Sequence, residues 1–273
     1  LLDPLFLRQV WSGNPDLEKK LAADTTEAGK ERYHYFRINK GPWSRLDHND
    51  AFIQGPSTKK PDGAGFYPDG MSKEEFQKWE AGLSPAQKEA AQSFFTVIRR
   101  DDKGKLKAVP YSEEYKEFLT PAAKLLRDAA AFTTNATLKK FLTLRADAFE
   151  KNDYYASDVA WMELDAPIDV TIGPYETYED EMFGYKAAFE AYVGLRDAAE
   201  SAKLARFSGY LQELENNLPF DPKYRNPKLG AAAPIRVIDV VFTSGDGNRG
   251  VQTAAYNLPN DERVIKEKGS KRV

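Results

Sequence analysis

Asp169-Val-Thr-Ile-Gly-Pro-Tyr-Glu-Thr-Tyr-Glu-Asp-Glu-Met-Phe-Gly-Tyr-Lys-Ala-Ala-Phe-Glu190 joins a short β-like run to a glycine-bearing turn and a second apolar run. The first run, Asp169 to Tyr175, predicts a strand; Tyr185 to Leu195 predicts a second, with Phe189 and Val193 on one side. Glu176 and Tyr178 stand two apart at the end of the first strand, so in extended backbone both side chains point the same way. A carboxylate there can hold an amine, and a phenol can donate to a developing oxyanion. From spacing alone a surface Glu and a Tyr covering the edge of a core is the commoner reading, because such pairs are frequent.

Outward from this stretch the pattern changes character. Upstream, helices dominate: Pro4 to Gly13, Asp16 to Ala28, a helix capped at Ser72 with Glu75 three residues on, another opened by Ser84-Pro85, then Ser112 to Ala131, Asn135 to Lys151 and Asn152 to Met162. In the helix at 135–151 the residues Leu138, Phe141, Leu142, Arg145 and Phe149 keep helical spacing with one charged interruption. Two β features are expected among them: an alternating run Tyr33 to Asn39, and a hairpin of Phe94 to Arg100 with Lys105 to Val109 across Asp101-Asp-Lys-Gly104. Gly55 to Gly70, with Pro56, Pro61, Gly63, Gly65 and Pro68, is expected to be a long surface loop. Downstream come a long helix, Asp197 to Leu218, and a β-branched strand, Ile235 to Phe242. Helices first and strands later predict an α+β fold: a mainly helical part with a hairpin at 1–167, and a β-containing part at 168–273 with a mixed or antiparallel sheet or partial barrel and a long helix.

Composition narrows the chemistry. The 273 residues are 41% hydrophobic and 30% charged, enough for a buried core and too apolar for a disordered chain. Lys and Arg number 39 against 42 Asp and Glu, so there is no basic footprint for nucleic acid or a membrane surface. No apolar run reaches the roughly eighteen residues of a membrane span. Without Cys there is neither a disulfide nor a thiolate nucleophile, and the compartment stays open between cytoplasm and periplasm. With two His, His34 and His48, no metal site of the His or Cys type is expected in this chain. His34 reads as a packed residue among aromatics, and His48 as a polar loop residue.

The segment from Gly173 to Glu190, with Glu176-x-Tyr178, Asp180, Phe183, Gly184 and Phe189-Glu190, resembles the Glu-x-Tyr region of the dipeptidyl peptidase III family of zinc exopeptidases. About eighty residues on, Asn257-Leu-Pro-Asn260 resembles that family's Asn-x-Pro-Asn element, and an amide side chain offers a donor and an acceptor together to a peptide backbone. Phe36 to Trp43, Asn152 to Asp158 and Tyr224 to Gly230 are similar to bacterial members. The resemblance implies removal of dipeptides from the amino end of a peptide substrate. It assigns Glu176, Asn257 and Asn260 to substrate binding and Tyr178 to the oxyanion. It also implies a zinc ion carried by a His-Glu-x-x-x-His motif that would follow Val273. The chain then stands as the amino-terminal lobe, inactive alone, whose partner is the zinc-bearing carboxy-terminal part. A non-catalytic peptide- or partner-binding scaffold is the alternative.

Two other motifs are weaker. Gly245-Asp-Gly-Asn-Arg-Gly250 fits a dinucleotide-binding glycine pattern after a strand, but Pro259 and two Asn follow where a helix is required. Gly184 and Glu190 open a Nudix box whose metal-binding half reads Ala198-Ala-Glu-Ser-Ala-Lys203, leaving the box incomplete and a Nudix-type hydrolase the lesser alternative.

Overall fold

The computed structural model describes residues 1–273 apart from 12–14, 56–58, 230–234 and 252. Gly13, Pro56 and Gly230, which end or line three of the expected segments, lie outside the described residues. In chain order the elements are α1 (Leu2–Val10), α2 (Pro15–Ala23), α3 (Glu27–Ile38), β1 (Trp43–Ser44), β2 (Asp50–Ala51), α4 (Lys73–Ala81), α5 (Pro85–Gln92), β3 (Thr96–Arg100), β4 (Leu106–Pro110), α6 (Tyr111–Glu114), α7 (Lys116–Phe132), α8 (Ala136–Lys151) and α9 (Tyr155–Met162). They continue with β5 (Ile168–Glu176), β6 (Ala188–Asp197), α10 (Ala198–Ser208), α11 (Leu211–Asn216), β7 (Val237–Gly245), β8 (Asn257–Leu258), α12 (Glu262–Lys268) and β9 (Lys271–Arg272). The fold is α+β, with small antiparallel sheets among the described residues.

Local chemistry sets the helix ends. Ser72 Oγ accepts the Glu75 amide at 3.2 Å, and Ser84 with Gln87 forms a reciprocal capping box. Asn135 caps α8 by accepting the Leu138 amide at 2.9 Å. At the other end Asn152 sits in the left-handed region and donates to the Phe95 carbonyl at 3.0 Å, tying α8 to the hairpin. That hairpin, β3 with β4, pairs Val97 with Val109 across the expected turn.

Several expectations differ: Gly63 to Tyr67 of the expected surface loop are buried, with Phe66 and Tyr67 turned into the core, and His34 is exposed rather than packed. Tyr33 to Ile38 is the second half of α3, with Asn39 as its C-cap, not a strand. Alternation over so short a run also fits a helix face, and Thr26 caps the helix by accepting the Gly29 amide at 3.0 Å. Phe36 then points inward and meets Trp11 edge-on with ring centroids 6.0 Å apart. The long helix at 197–218 is broken into α10 and α11 at Gly209-Tyr210. No described residue of α11 is buried, so no apolar face holds one continuous rod together.

The sheet that matters runs β5-β6-β7, all antiparallel, with β6 central. The helices cover it with aromatic rings: Phe149 of α8 meets Phe189 of β6 at 5.6 Å, and Tyr111 meets the same ring at 6.0 Å. Burying a ring of this kind contributes about 1.5–3 kcal/mol. The wholly buried Gln9 of α1 donates to the Ala187 carbonyl and accepts the Phe189 amide, so one amide side chain fixes α1 to the start of β6. No helix among the described residues is long and apolar enough to cross a membrane.

Candidate functional site

Three carboxylates converge at one end of this sheet. Glu190 lies on β6 and is directly paired with Gly173 of β5 on one side and Gly245 of β7 on the other. Glu176 ends β5, and Asp246 follows β7. The three offer oxygens within 4.8 Å of one another. Gly245 is what lets β7 come so close: it has φ of 65°, and a Cβ there would stand 2.3 Å from the Phe189 carbonyl oxygen. Asp3 of α1 fastens the same turn by accepting the Gly245 amide at 2.7 Å.

β5 reaches the site through a β-bulge. Pro174 pairs with Phe189, and Glu176 with Ala188, which leaves Tyr175 as the extra residue. The Tyr175 carbonyl is thereby free of the ladder and accepts the Asn260 side-chain amide at 2.8 Å. The Asn element also lies over the face of the sheet that carries Glu190. Tyr256 stacks on Tyr192, two residues from Glu190, with centroids 5.0 Å apart, and its hydroxyl meets Thr171 Oγ1 at 2.9 Å. Tyr192 in turn donates to Thr253 at 2.9 Å.

Burial pushes all three acids up, Asp246 included despite its bond to Lys40, whereas their neighbour Glu179 is held down. Lys40, just past α3, donates to Asp246 at 2.5 Å and to Glu179 at 2.9 Å. Burial works against the Lys40 ammonium, but Glu179 and Asp246 outweigh it and its pKa is raised. Glu179 is nearly sealed off, yet Lys40, Lys60 and Arg45 overcome that burial and hold it down at about 2. Glu176 and Glu190 have no such cation to themselves. Burial, reinforced by Asp246, pushes Glu176 up to about 7; burial and then the neighbouring Glu176 push Glu190 up to about 8. Near neutral pH Glu176 and Glu190 are therefore not both ionised.

Of the expected site residues, the structure brings Glu176 and Asn260 to one place through the Tyr175 peptide. Asn257, at the start of β8, is exposed. Tyr178 lies beyond the end of β5 and is 80% exposed, while Glu176 is half-buried, so the two do not share an enclosed pocket within this chain. Asp180 organises the turn after Tyr178: its carboxylate accepts the amides of Met182, Phe183, Tyr185 and Lys186 and the Tyr67 hydroxyl. A cavity of about 330 Å³ opens beside Tyr192 and Tyr256, against Leu204, Ile238 and Val240, and none of the four expected residues lines it.

Sequence reasoning missed Glu190, Asp246 and Lys40 as members of the site. Glu190 stood out in the sequence as part of the matched segment and of the incomplete Nudix box, and Asp246 as part of a glycine-rich bend. As zinc donors these residues fit poorly. Zinc sites draw on His and Cys nitrogen and sulfur, whereas the only group at metal-ligand spacing among the described residues is the all-carboxylate trio, one member of which is already held by Lys40.

Comparison with known proteins adds the lineage. The family model for peptidase family M49 matches residues 71–273. Two solved dipeptidyl-peptidase III structures align with the whole chain: that from Corallococcus sp. strain EGB at 63% identity with a TM-score of 0.89, and that from Caldithrix abyssi at 53% with a TM-score of 0.92. The chain covers 50% and 51% of those two proteins. A plant protein from Arabidopsis thaliana named Nudix hydrolase 3 is 42% identical across the whole chain, which spans 41% of its length. Human dipeptidyl peptidase 3 is 26% identical over 164 residues, which make up 59% of this chain and 21% of the human protein. On the extent of the family match and the whole-chain likeness to two solved members, this chain belongs to peptidase family M49.

Proposed function

We propose that the chain is the amino-terminal, substrate-binding lobe of a zinc-dependent dipeptidyl peptidase of the dipeptidyl peptidase III type, which releases dipeptides from peptide amino ends. The observation that carries the reading is the junction of Glu176 and Asn260 at the Tyr175 peptide, with the Asn260 amide 2.8 Å from the Tyr175 carbonyl. Glu176 pairs with the substrate ammonium, backed by Glu190, and Asn257 and Asn260 hold the substrate backbone. A charge-assisted bond of this kind contributes about 1.5–3 kcal/mol. Tyr178, standing out from the surface, reaches across to the scissile carbonyl and donates to the oxyanion. The zinc, when bound, supplies the activated water; its ligands belong to the remaining half of the protein, which is the first partner of this lobe. The parts 1–167 and 168–273 act together as that lobe.

The name of the plant relative does not shift this reading to Nudix chemistry. Glu190, the one correct acid of the partial box, lies on a strand against Glu176 and Asp246, and α10 carries Ala198-Ala199 where the box's Arg-Glu would stand and Ala202-Lys203 where its metal-binding Glu-Glu pair would stand. A scaffold without catalytic role is the remaining alternative. Zinc analysis and a dipeptidyl-arylamide assay, run on this chain and on the full-length protein, decide between them. Zinc and turnover in the full-length protein but not in the chain support the proposal. Turnover by the chain itself, or none by the zinc-loaded full-length protein, contradicts it.

A further inference from the structure

The charged interruption in the apolar face of α8 leads to the bulge behind the site. Arg145 is wholly buried, and its Nη2 donates to Asp158 Oδ1 of α9 at 2.6 Å and to the Tyr175 hydroxyl at 2.5 Å. The Tyr175 hydroxyl donates to the same Asp158 oxygen at 2.7 Å. Arg145 Nε and Nη1 have no acceptor; the rings of Phe141, Tyr154 and Tyr175 surround the guanidinium instead, each with its centroid 5.3 Å away. Gly173 makes room for it, since a Cβ there would stand 2.5 Å from Arg145 Nη1.

A cation, a carboxylate and a phenol closed off from water are costly unless each satisfies the others. Here all three converge on one residue of the sheet, and that residue is the bulged one. The Tyr175 side chain is anchored in the core, its carbonyl carries Asn260, and its successor is Glu176. An extra residue in a strand re-aims the side chains beside it, and a bulge held from behind keeps that aim fixed.

We propose that Tyr175, gripped by Arg145 and Asp158, is a positioning residue that sets the direction of Glu176 and the seat of Asn260. This rests on the reading of Glu176 and Asn260 as substrate contacts. Nothing in the triad touches substrate; it acts through the Tyr175 peptide. Losing the phenol hydroxyl loosens capture of the amine and leaves the chemical step alone.

The test is steady-state kinetics of the full-length protein on a dipeptidyl-arylamide. Tyr175→Phe is expected to raise KM about five-fold with kcat within about two-fold, and to change KM less than about two-fold in a Glu176→Gln background, where there is no longer a charge to aim. If Glu176→Gln weakens capture but Tyr175→Phe leaves KM unchanged, the positioning role is overturned and the amine anchor stands. If Glu176→Gln itself leaves KM unchanged, both fall. Crystal structures of the unsubstituted protein, free and with the dipeptide Ala-Ala, read the same claim without a variant that has to fold. An intact triad and an unmoved Glu176 Cα in both support it, and a broken triad with Glu176 displaced on binding overturns it.

Discussion

Replacing Glu190 by Gln is expected to make the protein more stable at alkaline pH and to leave it nearly unchanged in mild acid. The Glu190 carboxyl is held protonated up to about 8, against 4.5 for an ordinary Glu, by burial and then by the adjacent Glu176. A carboxyl whose pKa is raised on folding contributes fully below its unfolded pKa, and that contribution is lost as pH rises through the folded value. At about 1.4 kcal/mol per unit, Glu190 costs the folded state roughly 3–4 kcal/mol between pH 5 and pH 9. Gln has the shape of the protonated acid and does not titrate, so it escapes this cost. The assay is urea unfolding of the chain and of Glu190→Gln from pH 5 to pH 9, followed by circular dichroism. Groups remote from the site cancel in the difference, which should grow from near zero to roughly 3–4 kcal/mol in favour of the variant. Parallel pH profiles for the two proteins would refute the raised Glu190 carboxyl. A gain in stability on removing a site acid is also what a site kept strained for binding predicts.

Other expectations concern single groups. Purified chain should contain no stoichiometric zinc and hydrolyse no dipeptidyl-arylamide, as elemental analysis and the assay will read. In the full-length protein, Tyr178→Phe should lower kcat by about 10²–10³ with KM within a few-fold, whereas Glu176→Gln should act on KM; full kcat in Tyr178→Phe would return that residue to the surface. Lys186→Met should destabilise the chain by about 2 kcal/mol in urea unfolding, because it removes the buried ammonium donor that three acceptors share. Those are the Ala91 and Ser93 carbonyls and Thr96 Oγ1, bonded at 2.6, 3.0 and 2.9 Å. An unchanged midpoint would show that the Lys186 ammonium is not needed there.

What the sequence made legible was local. The hairpin at 94–109 is announced by two β-rich runs around Asp101 to Gly104, and the strand at 169–175 by Val and Ile spacing; both stand within two residues of expectation. Arg145 was visible as one charge on an apolar helix face, and it is buried in place. Tyr33 to Asn39 misled because seven residues do not separate a two-residue period from a helical one, and a Thr26 cap decided it. The break at Gly209 depends on what α10 and α11 fail to bury, which only tertiary contacts reveal. The site shows the same division. Glu176 and the Asn element were readable as strings, but Glu190, Asp246 and Lys40 join them through strand pairing and a contact between residues 206 apart, for which no local spacing exists. The bulge at Tyr175 was equally hidden, since it is a register shift between β5 and β6.

The central claim is that this lobe recognises the free amino end of a peptide through Glu176. The most direct measurement compares hydrolysis of a dipeptidyl-arylamide with that of its amino-acetylated counterpart by the full-length protein, wild type and Glu176→Gln. The account predicts that acetylation abolishes turnover by the wild type, and that Glu176→Gln loses most of its capture of the free amine and so narrows the difference. Equal hydrolysis of the free and acetylated substrates by the wild type would contradict it.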